Sequence, residues 1–136
     1  MPITKGHKQL IAEARQQIRT LTLDEAKAKY EDPNVVFVDI RDVRELEMNG
    51  MIPNAFHAPR GMLEFWVDPD SPYYKPVFGS GKEFVLYCQS AWRSSLATLA
   101  LQQMGLAPIS HVEGGFNAWK EAGLPVGERP RSKPAS

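Results

Sequence analysis

Residues 84–105 constrain the fold of this chain more than any other stretch. Val85, Leu86 and Tyr87 read as a short buried strand of a parallel sheet, and Leu96, Leu99, Ala100, Gln103 and Met104 recur at helical spacing up to Gly105, a natural residue to follow a helix end. Cys88-Gln89-Ser90-Ala91-Trp92-Arg93-Ser94-Ser95 lies between them. Strand, tight loop and helix therefore follow one another within about twenty residues, which is half of a βαβ unit.

This loop begins with the only cysteine of the 136 residues. Backbone N–H groups of the loop and the positive end of the following helix would converge on its sulfur, and such donors favour a thiolate. The plainer reading of a lone cysteine behind an apolar strand is a small buried hydrophobe. The local pattern alone leaves both open.

The rest of the chain has the same rhythm. Thr22 followed by Asp24-Glu25-Ala26 is a helix start with acidic residues in the first turn, and that helix should end near Tyr30, before Asp32-Pro33. Val35 to Asp39 is too continuously apolar for an exposed strand and belongs inside a parallel sheet. A charged helix is predicted from Arg41 to about Met48, closing at Asn49-Gly50, with a short strand around Phe56-His57 and a helix starting near Arg60-Gly61. Asp68 to Pro76 is a proline-studded loop whose aspartates read as turn formers rather than a cation site. Ile109 to Val112 is the last strand, and Gly114-Gly115 opens a helix carrying Phe116, Ala118 and Trp119. Alternating strands and helices specify an α/β domain with a parallel sheet covered on both faces.

Residues 1–19 predict an extra amphipathic helix, with Leu10, Ala14 and Ile18 four apart and Ile11 beside them. Its basic residues Lys5, Lys8, Arg15 and Arg19 suit either a partner or the solvated face of a helix packed on its own domain, and packing is the simpler reading. Residues 20–127 form the domain proper, and residues 128–136 read as a disordered tail, charged and nearly free of apolar side chains.

Sixteen basic and sixteen acidic residues balance, which argues against a phosphate-backbone footprint and so against nucleic acid as a partner. His7, His57 and His111 show no ligand spacing, read as ordinary surface or partly packed residues, and cannot complete a zinc site with one cysteine. No metal or organic cofactor is implied. The first twenty residues lack the apolar core of a secretory signal, and no run approaches the roughly 18 apolar residues of a membrane span. The expectation is a cytoplasmic protein, off the membrane, in a compartment where a free thiol survives.

Four separated segments, in order, resemble the rhodanese family of sulfurtransferases in its single-domain form. Val38-Asp39-Ile40-Arg41-Asp42 is similar to the family's Asp-x-Arg-acid segment, and Gly50-Met51-Ile52-Pro53-Asn54-Ala55 to its Gly-His-Ile-Pro-Gly-Ala. Cys88 to Ser94 resembles its Cys-x4-Arg-Ser loop, and Gly114 to Trp119 with Gly123-Leu124-Pro125-Val126 its carboxy-terminal signature. The resemblance implies a five-stranded parallel sheet flanked by helices on both faces. It also implies a double displacement in which Cys88 takes a sulfane sulfur from thiosulfate or a persulfide donor and passes it, as a persulfide, to cyanide or a thiol. Gln89, Ser90, Ala91, Trp92 and Arg93 would form the loop that holds the persulfide.

Two orientations are open to Arg93, one facing the donor and one turned to an acid such as Asp39 or Glu45 to brace the loop, with bracing favoured. Asp39, Arg44 and Arg60 are lesser candidates for donor binding or bracing. Gln89 and Trp92 stand where the family often has a cation and a smaller polar residue, which makes the mouth less cationic and disfavours thiosulfate. Phe65, Trp66 and Trp92 suit either the pocket rim or the core. Without a second cysteine, turnover needs an external acceptor.

Three other readings compete. Dual-specificity phosphatases place five residues between cysteine and arginine; here there are four, Gln89 to Trp92, a cradle small for phosphate. A non-enzymatic interaction module has no chemical need for both Cys88 and Arg93. A protein-to-protein persulfide carrier, slow with thiosulfate, fits the neutral loop.

Overall fold

In the computed structural model, which describes residues 2–129, the chain runs α1 (His7–Arg15), β1 (Thr20–Leu21), α2 (Leu23–Tyr30), β2 (Val35–Asp39), α3 (Val43–Asn49), β3 (Phe56–His57), α4 (Leu63–Val67), β4 (Glu83–Tyr87), α5 (Trp92–Gln103), β5 (Ile109–Val112) and α6 (Gly115–Glu121). Short 3-10 turns at Arg60–Met62 and Pro76–Gly79 flank α4. The strands form one parallel sheet in the order β1-β5-β4-β2-β3. The cysteine-bearing strand is therefore the central one, with Leu86 opposite Val38 on one side and His111 on the other.

Alternation along β4 divides the core. Phe84, Leu86 and Cys88 face one side of the sheet, where Leu63 and Val67 of α4 and Ala97 and Leu101 of α5 cover them. Val85 and Tyr87 face the other, against Ala26 of α2 and Phe116 and Trp119 of α6. Both faces are covered, which is why the strands read as continuous apolar runs. Burying each large side chain contributes about 1.5–3 kcal/mol, and Trp119, Phe116, Phe84 and Leu101 are all fully enclosed.

Helix ends follow local chemistry. Thr22 and Glu25 form a reciprocal cap, the Thr22 hydroxyl accepting the Glu25 N–H at 3.2 Å and the Glu25 carboxylate accepting the Thr22 N–H at 3.0 Å. Asp42 and Glu45 repeat that cap at α3. The expected start of α3 at Arg41 is thus two residues early: Arg41 is drawn into the interior by Asp39, and Asp42 takes the cap. Asn54, at the position where the family's motif carries glycine, has φ of 69°, a left-handed turn that asparagine tolerates.

The amino-terminal helix is shorter than the predicted 1–19. Gly6 is its cap, it ends at Arg15 in a tightened turn in which Gln16 and Gln17 donate to the Glu13 and Ala14 carbonyls, and the Arg19 carbonyl beyond it accepts the N–H of His111. It packs against α5, with Ala14 buried and Gln102 donating to the Gln17 carbonyl at 2.7 Å. Arg15 pairs with Glu113. At the other end, Met51 and Gly127 exchange backbone hydrogen bonds of 2.9 and 2.8 Å. From residue 130 on, the expected tail lies outside the described residues.

Candidate active site

Cys88 leaves β4 at its carboxyl end and sits almost wholly buried, 1% exposed, among Val38, Ile40, Ala58, Leu63 and Ala97. Its Sγ accepts the backbone N–H of Ser94 at 3.4 Å. Between them the chain turns back on itself at Ala91, whose φ of 76° is left-handed. Among the described residues, no acceptor is paired with the backbone N–H of Gln89, Ser90 or Ala91. Trp92 and Arg93 lie in the first turn of α5, where a helix leaves its N–H groups unpaired. The loop is thus a short ring of open donors around a thiol.

Its outer wall is held by the next unit of the chain. Phe116 N–H donates to the Cys88 carbonyl at 2.8 Å and Asn117 N–H to the Gln89 carbonyl at 3.0 Å. That approach needs Gly115, with φ of 62°, because a Cβ there would lie 2.6 Å from the Cys88 oxygen.

Its inner wall is held by Arg41, the arginine of the Asp-x-Arg-acid segment, to which the sequence reading gives no role in the site. Arg41 is fully buried and pairs with Asp39 through Nε to Oδ1 at 3.0 Å and Nη2 to Oδ2 at 2.6 Å. Nη1 donates to Gln89 Oε1 at 2.9 Å and Nη2 to the Gly50 carbonyl at 2.8 Å, while the guanidinium lies 4.4 Å over the Phe116 ring. Burial opposes the charge of Arg41, and the bonds to Asp39 more than offset it, so its pKa is raised. Burial, and then the Asp39 charge, push the neighbouring Tyr87 hydroxyl up as well, and that oxygen accepts the Ile52 N–H at 3.1 Å. Gln89 is gripped a second time by Asn117, at 2.6 Å. A cation at position 89 aimed the same way would meet the Arg41 guanidinium.

Arg93 turns to Glu45, not to Asp39, with two hydrogen bonds of 2.8 and 2.9 Å. Its pKa is raised, first by those bonds, with Cys88 adding to the effect. Arg44 is drawn to Asp42 at 3.1 Å on the surface, and Arg60 to Glu64 at 2.9 Å; the structure does not bring either to the loop by a hydrogen bond. Asp39 acts on the loop only through Arg41. Trp92 is half-exposed and lies tilted against His7 of α1 with centroids 5.0 Å apart, beside Ile11 and Leu96. Phe65 is exposed, while Trp66 packs edge-on against Phe56.

One histidine differs from the sequence reading, while His7 is exposed and His57 partly buried as expected. His111 is fully buried, with Nε2 2.8 Å from Thr20 Oγ1 and Nδ1 2.9 Å from Ser94 Oγ. His57 donates to the Arg41 carbonyl at 2.7 Å. A polar residue in the interior strand Ile109-Ser110-His111-Val112, and a charged one just past a buried strand, were the available signals for His111 and Arg41. Among the described residues no cluster of histidine, cysteine or carboxylates could hold a metal, and no helix is long and apolar enough to cross a membrane.

The rhodanese-like domain family matches residues 22–122. An uncharacterized protein of Synechocystis sp. is 40% identical over 92 residues, covering 68% of this chain; the chain spans 46% of that relative's length. A sulfurtransferase of Allochromatium vinosum is 32% identical over 110 residues, covering 81% of this chain and 92% of the relative. Among solved structures, a protein of unknown function from Rhodopseudomonas palustris, described as a possible tyrosine phosphatase, is 51% identical with a TM-score of 0.89, over 93% of this chain and 97% of that one.

Proposed function

The chain belongs to the rhodanese-like domain family, and from that membership we propose that it is a sulfurtransferase whose Cys88 carries the transferred sulfur as a persulfide. The observation that carries the reading is the loop itself: a buried thiol at the end of the central strand, met by the Ser94 N–H and ringed by backbone N–H groups that have no acceptor among the described residues. A persulfide adds one sulfur beyond Sγ and places its negative charge among those donors, where preorganised dipoles are worth more than water.

In the first half-reaction the Cys88 thiolate attacks the outer sulfur of the donor. The donor's S–S bond breaks, the electron pair leaves with sulfite or a thiolate, and Cys88 becomes Cys–S–S⁻. In the second, cyanide or a thiolate attacks the terminal sulfur and the Cys88 thiolate departs, giving thiocyanate or a new persulfide. Each step exchanges one sulfur between nucleophiles, so no outside oxidant or reductant is needed.

Donor class follows from where the charges are committed. Gln89 is neutral and held by Arg41, and Arg93 is paired with Glu45, so neither of these loop side chains offers thiosulfate's two charges a free cation. Ile11, Trp92 and Leu96 make the adjoining surface largely apolar. A low-charge persulfide is the better donor, and thiosulfate a slow one.

Similarity to a protein described as a possible tyrosine phosphatase raises a second reading. Four residues separate Cys88 from Arg93, which leaves a ring suited to one sulfur atom rather than a phosphate group. Hydrolysis of an aryl phosphate above the level of Cys88→Ser would favour that second reading. The test of the first is intact mass of the purified protein before and after thiosulfate or a glutathione persulfide. One sulfur atom gained by the wild type, removed by reductant and missing in Cys88→Ser, supports the persulfide. No gain from either donor, with the thiol still open to alkylation, would leave an interaction module instead.

A further inference from the structure

The reaction above makes no use of the buried histidine on β5. His111 is enclosed on every side, and both ring nitrogens are engaged, by Thr20 of β1 at 2.8 Å and by Ser94 of α5 at 2.9 Å. Burial pushes its pKa down to about 4, Arg15 adding to the shift and Glu113 opposing it. The ring is therefore neutral under ordinary conditions, donating at one nitrogen and accepting at the other, which two hydroxyl partners satisfy. Ser94 is also the residue whose backbone N–H meets the sulfur.

We propose that His111 is a positioning residue for sulfur transfer, acting through the Ser94 hydroxyl to hold the first turn of α5 where the Ser94 N–H meets Cys88 Sγ. This rests on the persulfide reading of Cys88. Two ties fix that turn, and they differ in kind. Arg93 reaches Glu45 at a half-exposed surface, whereas Ser94 reaches His111 in the interior, where a hydrogen bond is not weakened by water or salt. The next serine, Ser95, instead turns its hydroxyl back to the Ala91 carbonyl at 2.6 Å, so the link to β5 depends on Ser94.

The contribution is unequal between the two half-reactions. When the persulfide is attacked, negative charge builds on Sγ as it departs, and a donor held at Sγ stabilises that transition state. When Cys88 attacks a donor, charge leaves Sγ, and the same N–H gives no such help. Loss of His111 should slow discharge of the persulfide and leave loading close to the wild-type rate.

The experiment is single-turnover kinetics on protein preloaded with sulfur from glutathione persulfide and discharged with cyanide, for the wild type, His111→Phe, His111→Gln, Ser94→Ala and the double variant His111→Phe/Ser94→Ala. Outright removal of an oxyanion donor costs about a hundredfold or more, so an indirect loss should slow discharge about tenfold. His111→Phe and Ser94→Ala should show this slowing separately, the double variant should be no slower than either, and His111→Gln, which both donates and accepts, should recover most of the rate. The proposal is overturned if His111→Phe discharges at the wild-type rate, if the two losses multiply, or if loading and discharge slow equally without recovery in Gln. If the wild type takes up no sulfur at all, the persulfide reading falls and positioning is read from crystal structures of the variants. His111→Phe and Ser94→Ala should then each lengthen the 3.4 Å approach of the Ser94 N–H to Cys88 Sγ if positioning holds, and leave it unchanged if it does not.

Discussion

Arg93 and Glu45 meet in a two-point pair, Nη1 to Oε2 at 2.8 Å and Nη2 to Oε1 at 2.9 Å, which ties the first turn of α5 to α3 across the mouth of the loop. The bond to Arg93, more than the cap to Asp42, holds the Glu45 carboxyl below its ordinary range. A depressed acid contributes stability above its unfolded value and loses it as pH falls through the folded one. Both side chains are partly exposed, 41% and 29%, so the contribution is at most about 1 kcal/mol. Glu45→Gln should therefore cost little in urea denaturation and remove part of the acid slope. By releasing Arg93, it should lower the KM for thiosulfate. An unchanged KM would show that the Arg93 guanidinium does not reach the donor.

His111 sets a larger pH dependence. Its pKa falls from 6.5 to about 4 on folding, so between those values the unfolded chain binds the proton and the native chain does not. Stability is full above 6.5 and declines as pH drops toward 4, by on the order of 3 kcal/mol in all. Unfolding free energies measured across that window should slope for the wild type and be flatter for His111→Gln. Equal slopes would mean that the ring titrates alike in both states.

Arg41 should be the costliest charged residue to remove. Arg41→Met leaves the Asp39 carboxylate buried without its counter-charge, keeping only the main-chain bond from residue 41, and releases Gln89 and the Gly50 carbonyl. Breaking a buried pair from one side costs about 3–5 kcal/mol. Arg41→Lys should rescue only part, since one ammonium cannot span Asp39, Gln89 and Gly50 as the forked guanidinium does. Chemical denaturation of the two variants checks both statements, and a loss under about 1 kcal/mol for Arg41→Met would rule out the anchoring role.

How far the sequence discloses this site depends on the range of each interaction. The cap at Thr22, the strand at Val35–Asp39 and the stop near Gly105 are written in neighbouring residues and were legible. β1 was not, because two residues carry no period and Thr20–Leu21 is strand only by pairing with His111 and Val112. Cys88 and its loop could be placed from local pattern, and so could the acids open to Arg93. Gln89 was read as part of the pocket surface, whereas its side chain faces Arg41 and Asn117, partners 48 and 28 residues away in sequence. Contacts of that separation leave no local signature.

Two glycines separate close approach from backbone strain. Gly115 and Gly81 both have left-handed φ, 62° and 77°. A Cβ at Gly81 meets nothing within 4 Å, while one at Gly115 would lie 2.6 Å from the Cys88 oxygen and 2.8 Å from that of Gln89. Gly81→Ala should cost about 1 kcal/mol, the penalty of the conformation alone, with sulfur transfer intact. Gly115→Ala should cost about 2 kcal/mol or more and displace the loop, abolishing persulfide formation. Equal losses of stability in the two variants would mean that the loop gives way without strain.

Ala91 carries the remaining strain of the site. It is 3% exposed with φ of 76°, and its carbonyl is held by the Ser95 N–H at 3.1 Å and the Ser95 hydroxyl at 2.6 Å. A left-handed alanine costs about 1–2 kcal/mol, and glycine removes that cost while adding freedom to the unfolded chain worth somewhat less. Ala91→Gly should therefore raise stability by about 0.5–1 kcal/mol. The same change loosens the turn that aims the N–H groups of Gln89 to Arg93, so persulfide formation should slow although the protein is more stable. Denaturation midpoint and loading rate, measured on one preparation, test the opposition directly. A variant that gained in both would mean that the left-handed alanine contributes nothing to preorganising the loop.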